Sequence, residues 1–234
     1  MASKTFGTKA PRLPHVVHPG AGGISGEIQD LRDDLEASFT TLENLGVAGT
    51  GPFVVEEWTN PPAKDTDQFM VSKNFTAAAQ VFTGTGLTGT AATPPRNVVV
   101  GVTIATTGGT GTITVKGLDV AGAAITETFA IPDATGTVVG NKAFASVNEV
   151  DVPAHGGLFT GSVIVGTGDK IGLAKKAKTR AGGVMVVQEI VDGSLATNGV
   201  FAVAATGLPN GTYAPNTIPN ATHDYAVLYE RDMA

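Results

Sequence analysis

The sequence predicts a mainly β protein: an antiparallel β-sandwich or jelly-roll-like domain, preceded by an extended N-terminal arm and one short α-helix. Two observations predict it. Between Arg96 and Ala174, short β-branched runs alternate with Gly-rich or Asx-Gly turns, and no stretch is long and regular enough for a helix. The whole chain of 234 residues carries 31 glycines and only 15% charged residues, a composition suited to turn-dense β structure. Cysteine is absent, so neither disulfides nor thiolate metal sites are expected to hold the fold. A chain of this length can bury a substantial core as one or two domains.

The elements follow in order. Residues 1–23 contain three prolines and four glycines with no periodicity, so this segment should be extended and unable to form a core alone. Fully extended it would reach about 75 Å. It can be read as an unstructured terminus or as an arm lying on a neighbouring subunit. Its cations Lys4, Lys9 and Arg12 and its apolar Phe6, Leu13, Val16 and Val17 give an arm something to bury, which favours the second reading. His15 and His18 point to opposite faces of an extended chain, which argues against a metal site there.

Residues 24–46 form the one predicted helix. Ser25 suits the N-cap, Glu27 and Asp30 suit the positive dipole end, and Gly46 suits the stop. Ile24, Ile28, Leu31, Leu35, Leu42 and Leu45 follow alternating three- and four-residue spacing, broken at Ser38. Phe39 widens the apolar stripe, as it would in a helix packed on its own domain. A helix isolated between an arm and a Gly/Pro-rich linker needs partners to bury its stripe. The expected interface between copies is therefore Ile28, Leu31, Leu35, Leu42 and Leu45.

Residues 47–66 read as a linker, with a brief strand at Phe53-Val54-Val55, and 67–234 as the β domain. Its first strands are expected at Gln68–Lys73 and Ala77–Phe82. Val98, Val100, Val102 and Ile104 share one face of the next, and Thr107–Thr110 supplies a tight hairpin turn to the strand holding Ile113 and Val115. Ile125, Phe129 and Ile131 mark another strand, and Gly140-Asn141 a Gly-first turn. Further strands are expected at Val184–Val191, Val200–Ala205 and Tyr225–Tyr229, with turn signals at Asn198-Gly199 and Asn210-Gly211.

Several chemical motifs fail on context. Gly84, Gly86 and Gly89 match the spacing of a dinucleotide-binding loop, but Pro94-Pro95 follow where the pyrophosphate-binding helix should start. Gly166-Thr-Gly168-Asp-Lys170 lacks the rest of a phosphate loop. Asn74, Asn210 and Asn220 sit in glycosylation sequons, yet the N-terminal segment has no apolar core of signal-peptide length. His155, His223, Asp119, Glu127, Glu149 and Asp151 are the remaining acid–base candidates, and the four carboxylates alternate with apolar residues as exposed strand positions do. No nucleophile elbow is present, and we expect neither enzyme activity nor a cofactor or metal. The net charge of −6 and the lack of aromatics near Lys175, Lys176, Lys178 and Arg180 argue against nucleic acid as a partner. No run is long enough for a membrane span, so no membrane partner is expected.

The phrases GTGTITVKGLDVAGAAITETF, GTVVGNKAFASVNEVDVP and VGTGDKIGL resemble β-rich virion proteins of tailed bacteriophages. They are most similar to auxiliary proteins that decorate or cement the head, and the ending NGTYAPNTIPNATHDYAVLYE is similar to the ends of such proteins. A closed cyclic homo-oligomer suits such a use, a trimer in the first instance. It would be made in the host bacterial cytoplasm and bound to major capsid protein subunits on the virion surface. It carries no catalytic residues. A tail, baseplate or head-fibre component, or a surface module binding glycan or receptor, are the alternative expectations.

Overall fold

The computed structural model describes residues 53–105, 111–155, 160–180, 183–184, 186–202 and 211–232. The chain divides into two units, Met1–Gly51 and Pro52–Ala234, and every described residue belongs to the second. The expected arm and helix lie outside the described residues.

The described chain is mainly β, with antiparallel sheets in a curled half-barrel and sandwich-like arrangement. In chain order the strands are β1 (Phe53–Trp58), β2 (Met70–Asn74), β3 (Gln80–Thr83), β4 (Ala91–Ile104), β5 (Thr112–Leu118), β6 (Ala124–Ala130), β7 (Gly136–Val152) and β8 (Gly161–Gly172). They continue with β9 (Thr179–Arg180), β10 (Gly183–Val184), β11 (Val186–Val191), β12 (Ser194–Ala196), β13 (Val200–Ala202), β14 (Thr212–Ala214) and β15 (Tyr225–Glu230). The larger sheet runs β13-β14-β8-β4-β7-β5-β6, with β2 also on β8 and β3 also on β7. The smaller runs β1-β15-β11-β12, and β9 pairs with β10.

The long strands β4, β7 and β8 form the centre of the larger sheet. Val98, Val100 and Val102 alternate into its core, as their spacing predicts, and each fully buried valine contributes roughly 1.5–3 kcal/mol. Met70 of β2 and Ile125 and Phe129 of β6 join the same cluster. Strands from the two sides of the sheet therefore wrap one interior, which is what curls it. A second cluster, of Leu173, Tyr213, Val227 and Tyr229 with Val54, Trp58 and Phe201 against it, joins the smaller sheet to β13 and β14.

Three expectations change. The strand expected at Phe53-Val54-Val55 is not brief, and Phe53–Trp58 is not linker: β1 pairs with β15 along its whole length, from Phe53↔Glu230 to Trp58↔Tyr225. Nor are β4 and β5 hairpin neighbours across Thr107–Thr110, because β7 lies between them in the sheet. Gly140-Asn141 is not a turn; it lies inside the continuous strand β7. A two-residue hairpin that the sequence reading passed over joins β11 to β12 at Asp192-Gly193, with φ of 51° and 72°. Positive φ at both positions is the geometry that suits the right-handed twist of paired strands.

Candidate functional site

A polar cluster is built around Arg96 and Asn97, where β4 meets irregularities on both of its neighbours. Against β7 the register moves from Asn97↔Ala143 to Val99↔Val139, and against β8 from Arg96↔Ile171 to Val98↔Thr167. Gly140–Lys142 and Gly168–Lys170 thus bow out of the ladder on either side of β4 as a facing pair of bulges. The buried Asn97 side chain fills the gap. Its Nδ2 donates to Gly140 O at 3.0 Å, and its Oδ1 accepts from Lys170 N at 2.9 Å. A side chain at position 168 would collide with this carboxamide, since a Cβ on Gly168 would stand 2.5 Å from Asn97 Oδ1.

Arg96 is also buried. Its Nε and Nη2 donate to Gly168 O at 3.0 and 2.7 Å, and its Nη1 donates to Pro62 O at 2.9 Å. Burial lowers its pKa from the usual value, while the nearby Asp169 carboxylate opposes that shift. Asp169 in turn pairs with Lys64 at 2.9 Å. Arg96 thereby fastens the segment between β1 and β2 to β8.

Glu127 reaches the cluster from β6. Its Oε1 accepts from Asn141 N at 2.7 Å and from Lys142 N at 3.3 Å. Burial raises its pKa above the ordinary carboxyl value, opposed by those backbone bonds and by Lys142 and Lys170. Lys142 Nζ donates to Thr126 O at 2.7 Å, and Lys170 Nζ donates to Asn141 Oδ1 at 2.5 Å and Gly140 O at 3.3 Å. Burial lowers the Lys170 pKa, with Glu127 acting in the other direction.

A second polar set serves the inter-sheet cluster. Tyr229 donates to Glu56 Oε1, which also accepts from Ala174 N at 2.8 Å and Lys175 N at 3.2 Å. Tyr213 donates to Glu189 Oε2, which also accepts from Gly199 N at 2.7 Å. Burial, and then the adjacent carboxylate, raises the pKa of both tyrosines. Desolvation likewise raises Glu56 against its hydrogen bonds. The rings of Trp58, Phe201 and Tyr213 stack or tilt together, with Tyr213 centroids 6.3 Å from Trp58 and 4.7 Å from Phe201.

The other acid–base candidates fall into separate surroundings. His155 is buried edge-on to Phe75 at 4.7 Å, and desolvation lowers its pKa. His223 Nδ1 meets Asp192 Oδ2 at 2.6 Å beside the β11–β12 hairpin. Asp119 and Glu127 are not the exposed strand carboxylates expected. Asp119 is buried, and its Oδ1 accepts from Ala121 N and Ala123 N, both at 2.8 Å, to shape the β5–β6 turn. Glu149 and Asp151 share Lys116, with Asp151 Oδ2 at 2.7 Å. These bonds hold the Lys116 pKa up at about 12.

The basic run meets acidic residues of this chain: Lys176 pairs with Asp232 at 2.8 Å and Lys178 with Glu230 at 3.0 Å. Gly84–Gly86 forms a single 3-10 turn, and the next element is the strand β4 rather than a helix. Asn220 accepts from Thr222 N at 3.0 Å within a local turn. Among the described residues no group of three or more His, Asp or Glu is arranged to hold a metal ion. The expected arm contacts (Lys4, Phe6, Lys9, Arg12, Leu13, Val16, Val17) and helix seam (Ile28, Leu31, Leu35, Leu42, Leu45) lie outside the described residues.

Sequence reasoning passed over Arg96, Asn97, Glu56 and Glu189. One signal was available for the first two: Gly140-Asn-Lys142 and Gly168-Asp-Lys170 repeat the same Gly-Asx-Lys phrase, once on each neighbour of β4. No family model matches the chain, and neither does any curated protein or solved structure.

Proposed function

We propose that this protein is a structural virion component that decorates and stabilises a tailed-phage capsid through multivalent contacts with major capsid protein subunits. The observation that carries the reading is how the buried and half-buried polar groups are used. Arg96, Asn97, Glu56, Glu127 and Glu189 each hold the backbone of another strand or loop. An interior organised in this way makes a stiff module, which suits a part that must keep its shape on a particle. The phage setting comes from the resemblance of the phrases between Arg96 and Ala174.

In this reading residues 1–23 lie across neighbouring shell subunits, residues 24–46 associate between copies of a trimer, and the β unit caps the contact. Each further weak contact becomes intramolecular once the first has formed, so the lattice gains stability beyond any single affinity. Electron microscopy of purified particles, with and without the protein, tests this. The expected result is density on the outer shell at sites between capsid subunits, together with greater heat resistance of decorated particles. Density confined to the tail, or undiminished heat resistance without the protein, would overturn it. Deleting residues 1–23 should weaken attachment while leaving thermal unfolding of the β unit nearly unchanged.

A further inference from the structure

We propose that Lys170 and Asn141 join through an intramolecular isopeptide bond, which the folded chain forms by itself between the two bulges flanking β4. Neither the capsid reading nor any assembly is needed for this.

The argument begins with topology. Lys170 is on β8 and Asn141 on β7, strands held apart by β4 at this level. Side chains from two strands that are not neighbours meet only because both strands bow out at the same point. There, Lys170 Nζ stands 2.5 Å from Asn141 Oδ1. That is hydrogen-bond contact, so the amine already stands against the carboxamide with no further movement of either strand.

Both reacting groups also start from fixed backbone. The Lys170 N–H is held by the buried Asn97 carboxamide, and the Asn141 N–H by Glu127. Holding an amine against a carboxamide in this way replaces an improbable encounter with an effectively unimolecular step. The electrostatics act in the same sense. Burial lowers the Lys170 pKa, which makes the neutral, nucleophilic amine more accessible. Burial raises the Glu127 pKa, and this carboxyl stands against the Asn141 backbone beside the pair. Glu127 is a positioning residue here, because its hydrogen bonds are to the Asn141 and Lys142 backbone.

The step balances without a co-reactant. Lys170 gives one proton from its ammonium to solvent to become a free amine, and Nζ attacks Asn141 Cγ. The new Nζ–Cγ bond forms as the Cγ–Nδ2 bond breaks. Nδ2 leaves as ammonia, carrying the second proton lost by Nζ, and nothing is oxidised or reduced.

The test is intact-mass measurement on the purified full chain, followed by a tryptic map. The expected mass is lower than that of the sequence by one ammonia. Trypsin cannot cut after an acylated lysine, so residues 117–142 and 143–175 should appear as one branched species. Lys170→Arg and Asn141→Ala should each restore the full mass and abolish the branched species. Glu127→Gln keeps an acceptor for the Asn141 N–H but removes the carboxyl. It should slow cross-linking at least tenfold at unchanged circular dichroism, an effect that a purely structural acceptor would not produce. An unmodified mass in the parent chain would overturn the proposal. So would an ammonia loss that persists in Lys170→Arg, which would assign it to cyclisation at an asparagine, for instance in Asn198-Gly199 or Asn210-Gly211.

Discussion

The Tyr213 hydroxyl donates to Glu189 Oε2, linking β14 of the larger sheet to β11 of the smaller. Both side chains are fully buried, so the bond has no water to replace it. Tyr213→Phe keeps the ring in the aromatic cluster but removes the donor. The expected loss is about 1–3 kcal/mol of unfolding free energy, the cost of leaving a buried polar group short of a partner. Chemical denaturation of the two proteins measures it, and an unchanged midpoint would show that the sheets do not depend on this bond.

Asn97→Ala removes both halves of the bridge between the bulges. The Gly140 carbonyl and the Lys170 N–H lose their side-chain partner together, for an expected cost of roughly 2–4 kcal/mol. Amide hydrogen exchange gives the local readout. Protection should fall first at Lys170 and, if the bridge is only incidental, should not change there at all.

Two buried groups give opposite pH signatures. Glu56 has a raised pKa, so it favours the fold fully below its unfolded value near 4.5, and that contribution is lost as pH rises through the higher folded value. His155 has a lowered pKa, so its contribution is present above the unfolded value of 6.5 and is lost as pH falls through the lower folded value. The stability of the parent relative to Glu56→Gln should therefore decline with rising pH. Relative to His155→Gln it should decline with falling pH. Denaturation midpoints from about pH 4 to about pH 8 test both signs, and parallel profiles would refute them.

The stripe Ile28, Leu31, Leu35, Leu42 and Leu45 predicts that the free protein self-associates. Leu35→Asp would place a charge in that seam and should dissociate the oligomer without changing the β unit. Analytical sedimentation distinguishes the outcomes. A parent protein that is monomeric at tens of micromolar, a concentration on the order of what short seams require, would count against the helix as the interface.

The β class and the core face of β4 were legible because a period-two pattern needs only local sequence. Val98, Val100 and Val102 follow it and are buried. What was not legible is partner choice. A glycine beside a polar residue reads the same whether it closes a turn or opens a bulge, so Gly140-Asn141 suggested a reversal where β7 only bulges and continues. The Val98 run gave no hint that β7 would separate β4 from β5, because that order depends on contacts far apart in the chain. Arg96, Glu56 and Glu189 escaped notice for a related reason. Their partners are backbone atoms of distant segments, and backbone atoms leave no mark on the letters of a sequence.

The paired bulges also bear on which insertions and deletions this chain tolerates. From Asn97 to Val99 is two steps on β4 and from Ala143 to Val139 is four on β7, an excess of two residues. The same holds on the other side, where Arg96 to Val98 is two steps and Ile171 to Thr167 is four. An even excess preserves the alternation of faces, and Val138 and Phe144, on either side of the β7 bulge, accordingly reach the same core. Removing one residue from 140–142 would make the excess odd and turn one flank of β7 inside out. Removing two would leave every face where it is and cost only the bulge. Lineages of this protein should therefore gain or lose residues here in pairs, a parity rule imposed by the pleat itself.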